Sequence, residues 1–163
     1  MFYKIDNYLK KLYRLSGYIA AIFLIFVAIF ILTGVASRLF GFYIRGLAEY
    51  SGYSMAASSF LALAFTFGEK GHIRITLFLE KANKKIKRFL ELWCLSVATF
   101  FSGFLSFYFI KMLLISIDFK ERSEGADEIY IWIPQTTVAI GSTIFFICIT
   151  HNFILLILKR KIK

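Results

Sequence analysis

The residues most often used for redox or metal chemistry are scarce in this sequence, which has two cysteines and two histidines. Neither Cys94 nor Cys148 belongs to a C-x-x-C pair of the kind that metal sites and disulfide catalysts use. Haem ligation in a helix bundle needs histidines that face each other from different helices. His72 falls in a predicted loop and His151 has no histidine partner. We therefore expect inert cysteines, no haem and no metal site.

Motifs of the common catalytic sites are also missing. The sequence contains no GxxxxGK[S/T] phosphate-binding loop, no HExxH zinc motif and no GxSxG nucleophile motif. The sequence therefore shows no motif that would catalyse ATP hydrolysis or the usual hydrolase reactions. We expect a protein that is not an enzyme and that holds no cofactor of its own.

The secondary-structure elements of the chain can be located from the segments that contain no charged residue. Residues 15–37, 50–68, 92–110 and 129–158 contain no Asp, Glu, Lys or Arg, although the chain has 20 basic and 10 acidic residues. A soluble fold needs charged residues along the exposed face of each element. This segregation, with a mean hydropathy of +0.70, indicates a membrane-embedded protein. It excludes a soluble enzyme, a disulfide scaffold and a DNA-binding domain.

A helix needs roughly 20 apolar residues to cross the hydrocarbon core of a bilayer. The sequence predicts an all-α integral membrane protein with four transmembrane helices, at about residues 15–37, 47–68, 89–113 and 133–158. The first segment is too long for the apolar core of a signal peptide, so we expect it to remain in the mature protein. One membrane domain would cover residues 1–163.

Loop charges predict the orientation of the helices. Lysine and arginine are concentrated in residues 1–14, 69–91 and 159–163, whereas the loops at 38–46 and 118–128 contain few of them. Because basic loops stay in the cytoplasm, we expect both termini to be cytoplasmic. The basic segments also explain the net charge of +10 through attraction to anionic phospholipids, without nucleic acid.

Residues 73–88 between the second and third spans are predicted to form an amphipathic helix. Its charged residues lie on the side opposite to an apolar face, and such a helix lies in the membrane interface. The apolar face consists of Ile75, Phe78, Leu79, Ala82, Ile86, Phe89 and Leu90.

The predicted spans contain no charged residue near the middle of the membrane that could bind a transported solute. Transporters place ionisable or polar groups near the middle of the membrane, but here Glu49 and Lys111 lie only at the ends of spans. The sequence instead favours helix packing, because Ser54, Ser58 and Ala62 repeat at every fourth residue. The sequence leaves open whether this stripe packs within the chain or against another subunit.

Several polar and aromatic residues fall at the predicted membrane boundaries. Arg38, Arg45 and Glu49 cluster on the outer side, either as solvated ion pairs or as a docking surface. Aromatic belts and a proline in the first turn of a helix are typical of membrane boundaries. The predicted interfacial anchors are Trp93, Trp132, Pro134 and Gln135.

Three short segments carry a resemblance to a known family. They are GEKGHIRI at 68–75, LELW at 90–93 and IWIPQ at 131–135. In this order and spacing they make the chain similar, over nearly its whole length, to the DctQ-like small membrane subunit of tripartite ATP-independent periplasmic (TRAP) transporters. The family often has a Trp and two acidic residues entering the second span, whereas residues 47–50 contain only Glu49.

The resemblance implies a sodium-driven importer of organic acids, such as sialic acid or C4-dicarboxylates, in the bacterial inner membrane. A periplasmic substrate-binding protein would deliver substrate to a large DctM-like membrane subunit, which would bind the sodium ions. The present chain would brace that subunit, and Arg38, Arg45 and Glu49 with the acidic outer loop would help to dock the binding protein. His72 and Arg74 would fix the cytoplasmic turn by hydrogen bonds to backbone or headgroup phosphate.

The residues alone leave a second class of function open, an independent four-span membrane protein. It would be either a small homo-oligomeric carrier or a quinone or haem redox subunit. A redox subunit would show a Soret absorption band, and a carrier would transport solute alone in liposomes. A scaffold subunit would do neither, and its sequence would not name the substrate.

Overall fold

A computed structural model describes residues 2–68 and 84–158 of the chain. These residues form four long helices and no β-strand, apart from a single antiparallel bridge between Arg122 and Tyr130. The predicted all-α class is confirmed. The helices are α1 (Phe2–Leu39), α2 (Leu47–Gly68), α3 (Lys84–Asp118) and α4 (Trp132–Ile157).

Three of the described helices are long and apolar enough to cross a membrane. They contain the segments Asp6–Leu39, Ile86–Asp118 and Trp132–Ile157. Helix α2 forms where the second span is predicted, and its 22 residues cover about 33 Å at a rise of ~1.5 Å per residue. Its Gly, Ala, Ser and Tyr residues dilute its apolar character, and it is not among the three. The four-helix count is consistent with the predicted four spans.

Two helices extend beyond the predicted spans. Helix α1 has 38 residues and begins at Phe2, because no proline interrupts the segment before residue 15. Helix α3 has 35 residues and ends at Asp118. Residues 84–88 of the predicted amphipathic helix form the first turns of α3, whereas residues 73–83 lie outside the described residues. The orientation of the termini stays a prediction.

The helices pack as a layer in the order α1, α2, α4, α3. Helix α2 contacts α1 on one side and α4 on the other, and α3 packs on α4. Contacts between α1 and α4 are few. Helices α2 and α4 therefore form the centre of the layer, and α1 and α3 form its two edges.

Candidate functional site

Helices α1 and α2 meet through small residues on α1. The Ser16 hydroxyl donates a hydrogen bond to the backbone carbonyl of Leu61 on α2. At the neighbouring Gly17, an added Cβ would lie 2.6 Å from Cγ of Phe65. Because Ser16 and Gly17 are small, the two backbones approach closely enough for a direct side-chain to backbone hydrogen bond.

At the central contact, between α2 and α4, a glycine faces the backbone of the neighbouring helix. A Cβ added at Gly141 would lie 2.7 Å from the backbone carbonyl carbon of Phe60 and 2.9 Å from the backbone nitrogen of Leu61. About one turn further along α2, the thiol of Cys148 donates to the carbonyl of Ala64 at 3.5 Å. Backbone atoms cannot move aside as a side chain can, so only glycine fits at position 141.

Helices α3 and α4 are joined in a similar way. The hydroxyls of Ser106 and Thr143 are hydrogen-bonded at 3.0 Å. A Cβ added at Gly103 would lie 2.9 Å from Cε2 of Phe146, a ring that can shift. Ser102 and Ser106 have the same four-residue spacing as Ser54 and Ser58, so the spacing of small residues is a signal by which this contact can be found.

The polar residues that are buried as a whole in the described part of the chain are all serines. Serine is small, and its hydroxyl can bond to a carbonyl of its own helix, as Ser142 does to Ala139 at 3.0 Å. Serine therefore allows close helix approach without leaving an unpaired polar group in the membrane. These residues are Ser16, Ser37, Ser54, Ser58, Ser102, Ser106, Ser116 and Ser142.

The structure places the predicted small-residue stripe partly inside the chain. Ser54 and Ser58 are buried in the helix layer, and Ala62 is half-buried. A row of every fourth residue turns by about 40° per step around a helix, since each residue turns by ~100°. The row therefore leaves the buried face of α2 by its third member. The exposed face of α2 carries Ala48, Gly52, Met55 and Ser59.

The burial of Ser58 predicts a stability effect within this chain. Replacing Ser58 by Leu should lower the free energy of unfolding by about 2 kcal/mol, because extra carbons must enter a closed helix contact. Thermal unfolding in detergent measures it. Ser59→Leu is the matched control, since the neighbouring Ser59 is exposed and its replacement should keep the parent melting temperature. Equal melting temperatures for both variants would contradict the burial of Ser58.

Residues 119–131 fold over the first turns of α2, and together we call them the outer cap. Glu49 of α2 accepts a hydrogen bond from the backbone N–H of Ala126 at 3.2 Å. The hydroxyls of Tyr53 and Ser123 are 2.9 Å apart. A Cβ added at Gly125 would lie 2.8 Å from Cγ of Glu49, so a larger residue there would displace the carboxylate.

The outer cap also has hydrogen bonds of its own. Ser116, near the end of α3, donates to Glu121 at 2.7 Å. The Ser123 N–H donates to the carbonyl of Ile129 at 2.7 Å. The guanidinium of Arg122 lies 5.0 Å from the centroid of the Tyr130 ring, a cation–π distance. The segment is therefore an ordered structure that joins α3, α2 and α4.

The three residues predicted to cluster at the outer side differ in exposure. Arg38 and Arg45 are exposed, whereas Glu49 is half-buried and points at the outer cap. Asp127 lies beside Gly46, directly before α2, and both of its carboxylate oxygens are buried. The Glu49 hydrogen bond to Ala126 thus ties the outer cap to the start of α2, and Asp127 packs against Gly46 beside it.

The predicted boundary residues occupy the ends of α3 and α4. Trp93 and Trp132 are exposed, and Pro134 lies in the first turn of α4, where its missing N–H costs little. The side-chain carbonyl of Gln135 is buried without a hydrogen-bond partner among the described residues. His72 and Arg74 lie outside the described residues.

The chemically reactive residues do not form one site. Cys94 is exposed on α3, and Cys148 is buried between α2 and α4; both are free thiols. His151 lies at the opposite end of α4 from the outer cap, beside Asp6 of α1. Within residues 2–68 and 84–158, no group of three His, Cys, Asp or Glu residues could hold a metal ion.

The long apolar helices pack closely through serine and glycine residues, and the ordered outer cap connects them. These features define a small multi-span membrane protein. Residues 26–159 match the family described as "Tripartite ATP-independent periplasmic transporters, DctQ component". The chain belongs to this family, as its resemblance predicted, and is a small membrane subunit of a TRAP transporter. A comparison with curated proteins gives no match.

The family assignment has consequences for partners and chemistry. The DctQ family is a family of transporter components and not of enzymes. Its members assemble with a large membrane subunit and a periplasmic binding protein. The matched residues include all of α2, α3 and α4 and the last part of α1, from residue 26 onward.

Proposed function

We propose that this chain is the scaffold subunit of a sodium-driven importer of organic acids in the bacterial inner membrane. Its family membership carries the proposal. The large subunit would bind sodium and move the substrate, and the present chain would enlarge the static frame against which the moving part slides. The chain itself would hold neither substrate nor sodium.

The distribution of exposed apolar surface supports a scaffold role. In the most apolar 18-residue stretch of α1, only 6% is buried within the chain, and in the corresponding stretch of α3 only 17% is buried. Lipid or another subunit must therefore cover these edge helices, since water cannot. The exposed side chains of α3 include a group of aromatic residues in the middle of the helix, which are Phe100, Phe101, Phe104, Phe107 and Tyr108.

The rigid connection of the helices supports the same role. A scaffold must resist the force of a moving partner, and the contacts at Gly141 and Ser16 pack backbone against backbone. The outer cap fixes α2 relative to α3 and α4 at the other end of the layer.

We also propose that the outer cap helps to dock the periplasmic binding protein. Three of its four acidic residues are exposed, and Arg38 at the end of α1 and Arg45 just before α2 are exposed as well. Charges of both signs at an interface favour specific association more than raw affinity. The exposed acidic residues are Glu121, Glu124 and Glu128 of the outer cap and Asp118 at the end of α3.

The test is co-purification followed by transport. The tagged chain is expressed with the large membrane protein encoded beside it and isolated in mild detergent. We expect a stable one-to-one complex. In liposomes, the complex should take up an organic acid only when both sodium and the binding protein are present, and the chain alone should take up none.

Two outcomes would reject the proposal. A homo-oligomer that ignores the neighbouring large subunit and transports alone would indicate an autonomous carrier. A Soret band or a reducible quinone in the purified chain would indicate a redox subunit.

A further inference from the structure

The connection between α1 and α2 exposes a continuous group of large apolar side chains. We call residues 39–45 the aromatic loop. Single exposed apolar residues are common on proteins, but a contiguous group with polar residues at its edge marks a surface that binds a protein or a membrane. The exposed apolar residues of the aromatic loop are Leu39, Phe40, Phe42, Tyr43 and Ile44.

The backbone of the aromatic loop is fixed by hydrogen bonds and two glycines. The N–H of Gly41 donates to the carbonyl of Arg38 at 3.2 Å, and the N–H of Phe42 donates to that of Ser37 at 3.0 Å. Gly41 has a φ of +75°, so α1 ends in a Schellman motif. Gly46, directly before α2, has a φ of +81°. The exposure of the loop side chains is therefore set by a defined turn and not by a frayed helix end.

The position of the aromatic loop along α1 matches the edge of a bilayer. The charge-free residues 15–37 cover roughly 34 Å at a rise of ~1.5 Å per residue, enough for a hydrocarbon core of ~30 Å. The loop begins two residues later. Leu32, Val35 and Leu39 are all exposed and lie within about 60° of each other around α1, since each residue turns by ~100°. The apolar surface of the span thus continues into the loop.

The charges beside the aromatic loop are complementary to phosphate. Arg38 and Arg45 lie at its two ends and are exposed, and residues 38–46 contain no acidic residue. In the part of the chain that the structure describes, neither arginine forms an ion pair, although Asp127 packs beside Gly46. Guanidinium groups bind phosphate oxygens well, and aromatic rings favour the headgroup level of a bilayer. Both features fit the surface of a phospholipid layer.

We propose that the aromatic loop is a membrane anchor. Its apolar side chains lie in the headgroup layer of the bilayer, and Arg38 and Arg45 contact the lipid phosphates. The anchor sets the depth of this end of α1 and α2, while the acidic outer cap beside it stays in water. Such anchoring is a property of this chain and does not depend on the proposed transport function. It assigns the two arginines to lipid, so that docking of the binding protein would rest on the acidic residues of the outer cap.

The test measures which quenchers reach the aromatic loop. A spin label is placed at Y43C in a C94S background that leaves the buried Cys148 in place, and the full chain is reconstituted in nanodiscs of phosphatidylethanolamine and phosphatidylglycerol. Oxygen concentrates in lipid, whereas a nickel chelate stays in water. The matched control is E124C, because Glu124 is exposed on the outer cap. We expect the ratio of oxygen to nickel accessibility to be at least about threefold higher at position 43, as for a headgroup-level residue.

Two results at position 43 would overturn the anchor. Nickel accessibility equal to that of E124C would place the loop in water. A label reached by neither quencher would show that protein covers the loop, and the measurement is repeated in the complex with the large membrane subunit for this reason. If no complex forms, the proposed transport function fails, but the chain alone in nanodiscs still tests the anchor.

Variants assign the phosphate contact to the arginines. In the Y43C background, R38Q/R45Q should lower the ratio about twofold, because basic residues near a membrane surface are attracted to it. K120Q is the matched control, since Lys120 is an exposed cation of the outer cap and its replacement should leave the ratio unchanged. Circular dichroism and a monodisperse elution profile verify folding of each variant. A ratio that R38Q/R45Q leaves unchanged would overturn the phosphate contact.

Discussion

Replacing Gly141 by Leu should unfold the helix layer, whereas the same replacement at Gly52 should leave it intact. At position 141 the first added carbon alone would lie 2.7 Å from a backbone atom of α2, and Leu adds three more carbons. The helices must separate, and α2 and α4 form the centre of the layer. We expect a loss of more than about 3 kcal/mol in the free energy of unfolding, the upper end for overpacked positions.

The matched control uses the open surface of α2. At Gly52, an added Cβ would meet nothing within 4 Å, and Leu has a higher helix propensity than Gly by up to ~1 kcal/mol. G52L should therefore equal or exceed the parent in stability. The two variants make the same chemical change in two helices of one layer, so opposite signs would assign the effect to the α2–α4 crossing.

Cys148 provides the measurement. Its thiol is fully buried at the same crossing, so a thiol-reactive dye reports opening of the α2–α4 contact in a C94S background. We expect G141L to react at once at room temperature and G52L to react only on heating, as the parent does. Slow reaction of G141L at the parent's rate would show that α2 and α4 do not cross at Gly141.

The helices could be predicted because their signal is local. A segment without charge must lie in the membrane wherever its neighbours are, and α2 runs from Leu47 to Gly68, as its apolar run indicates. The start of α1 was not predicted to be continuous with the first span. Residues 2–14 are polar enough to leave the membrane, but nothing in them breaks a helix, and α1 continues through them.

The contacts between helices could be predicted only in type. The sequence indicates that serine and alanine on α2 face another helix, but it does not order the helices as α1, α2, α4 and α3. The decisive role of Gly141 depends on the backbone of Phe60 and Leu61, which is distant in sequence. For the same reason, the pairing of Asp6 with His151 has no sequence signal. A carboxylate and an imidazole near opposite ends of the chain carry no information about their distance.

Glu49 shows how the structure changes the expectation for a single residue. From the sequence it is a candidate contact for a partner on the outer side, together with Arg38 and Arg45. In the structure its carboxylate accepts the N–H of Ala126 and is half-buried beneath the outer cap. Any effect of Glu49 on a partner would therefore be exerted through the shape of the cap.

Replacing Glu49 by Ala should loosen the outer cap without unfolding the helices. The variant removes an ionised acceptor from a backbone N–H, and hydrogen bonds to charged groups contribute about 1.5–3 kcal/mol. Amide hydrogen exchange at residues 123–128 should accelerate by roughly 10- to 100-fold, which is the same free energy expressed as a rate. Exchange in the middle of α2 and α4 should not change.

Glu124→Ala separates the cap's structure from its charge. It removes the same charge from the same surface, but Glu124 is exposed and makes no hydrogen bond that the structure shows, so exchange should stay at the parent rate. If the shape of the cap docks the binding protein, E49A should also require a several-fold higher concentration of that protein for half-maximal uptake, and E124A should require a smaller increase. Faster exchange in E49A with unchanged uptake would confirm the hydrogen bond and remove Glu49 from the docking surface, since a loosened cap would then serve the binding protein as well as an ordered one.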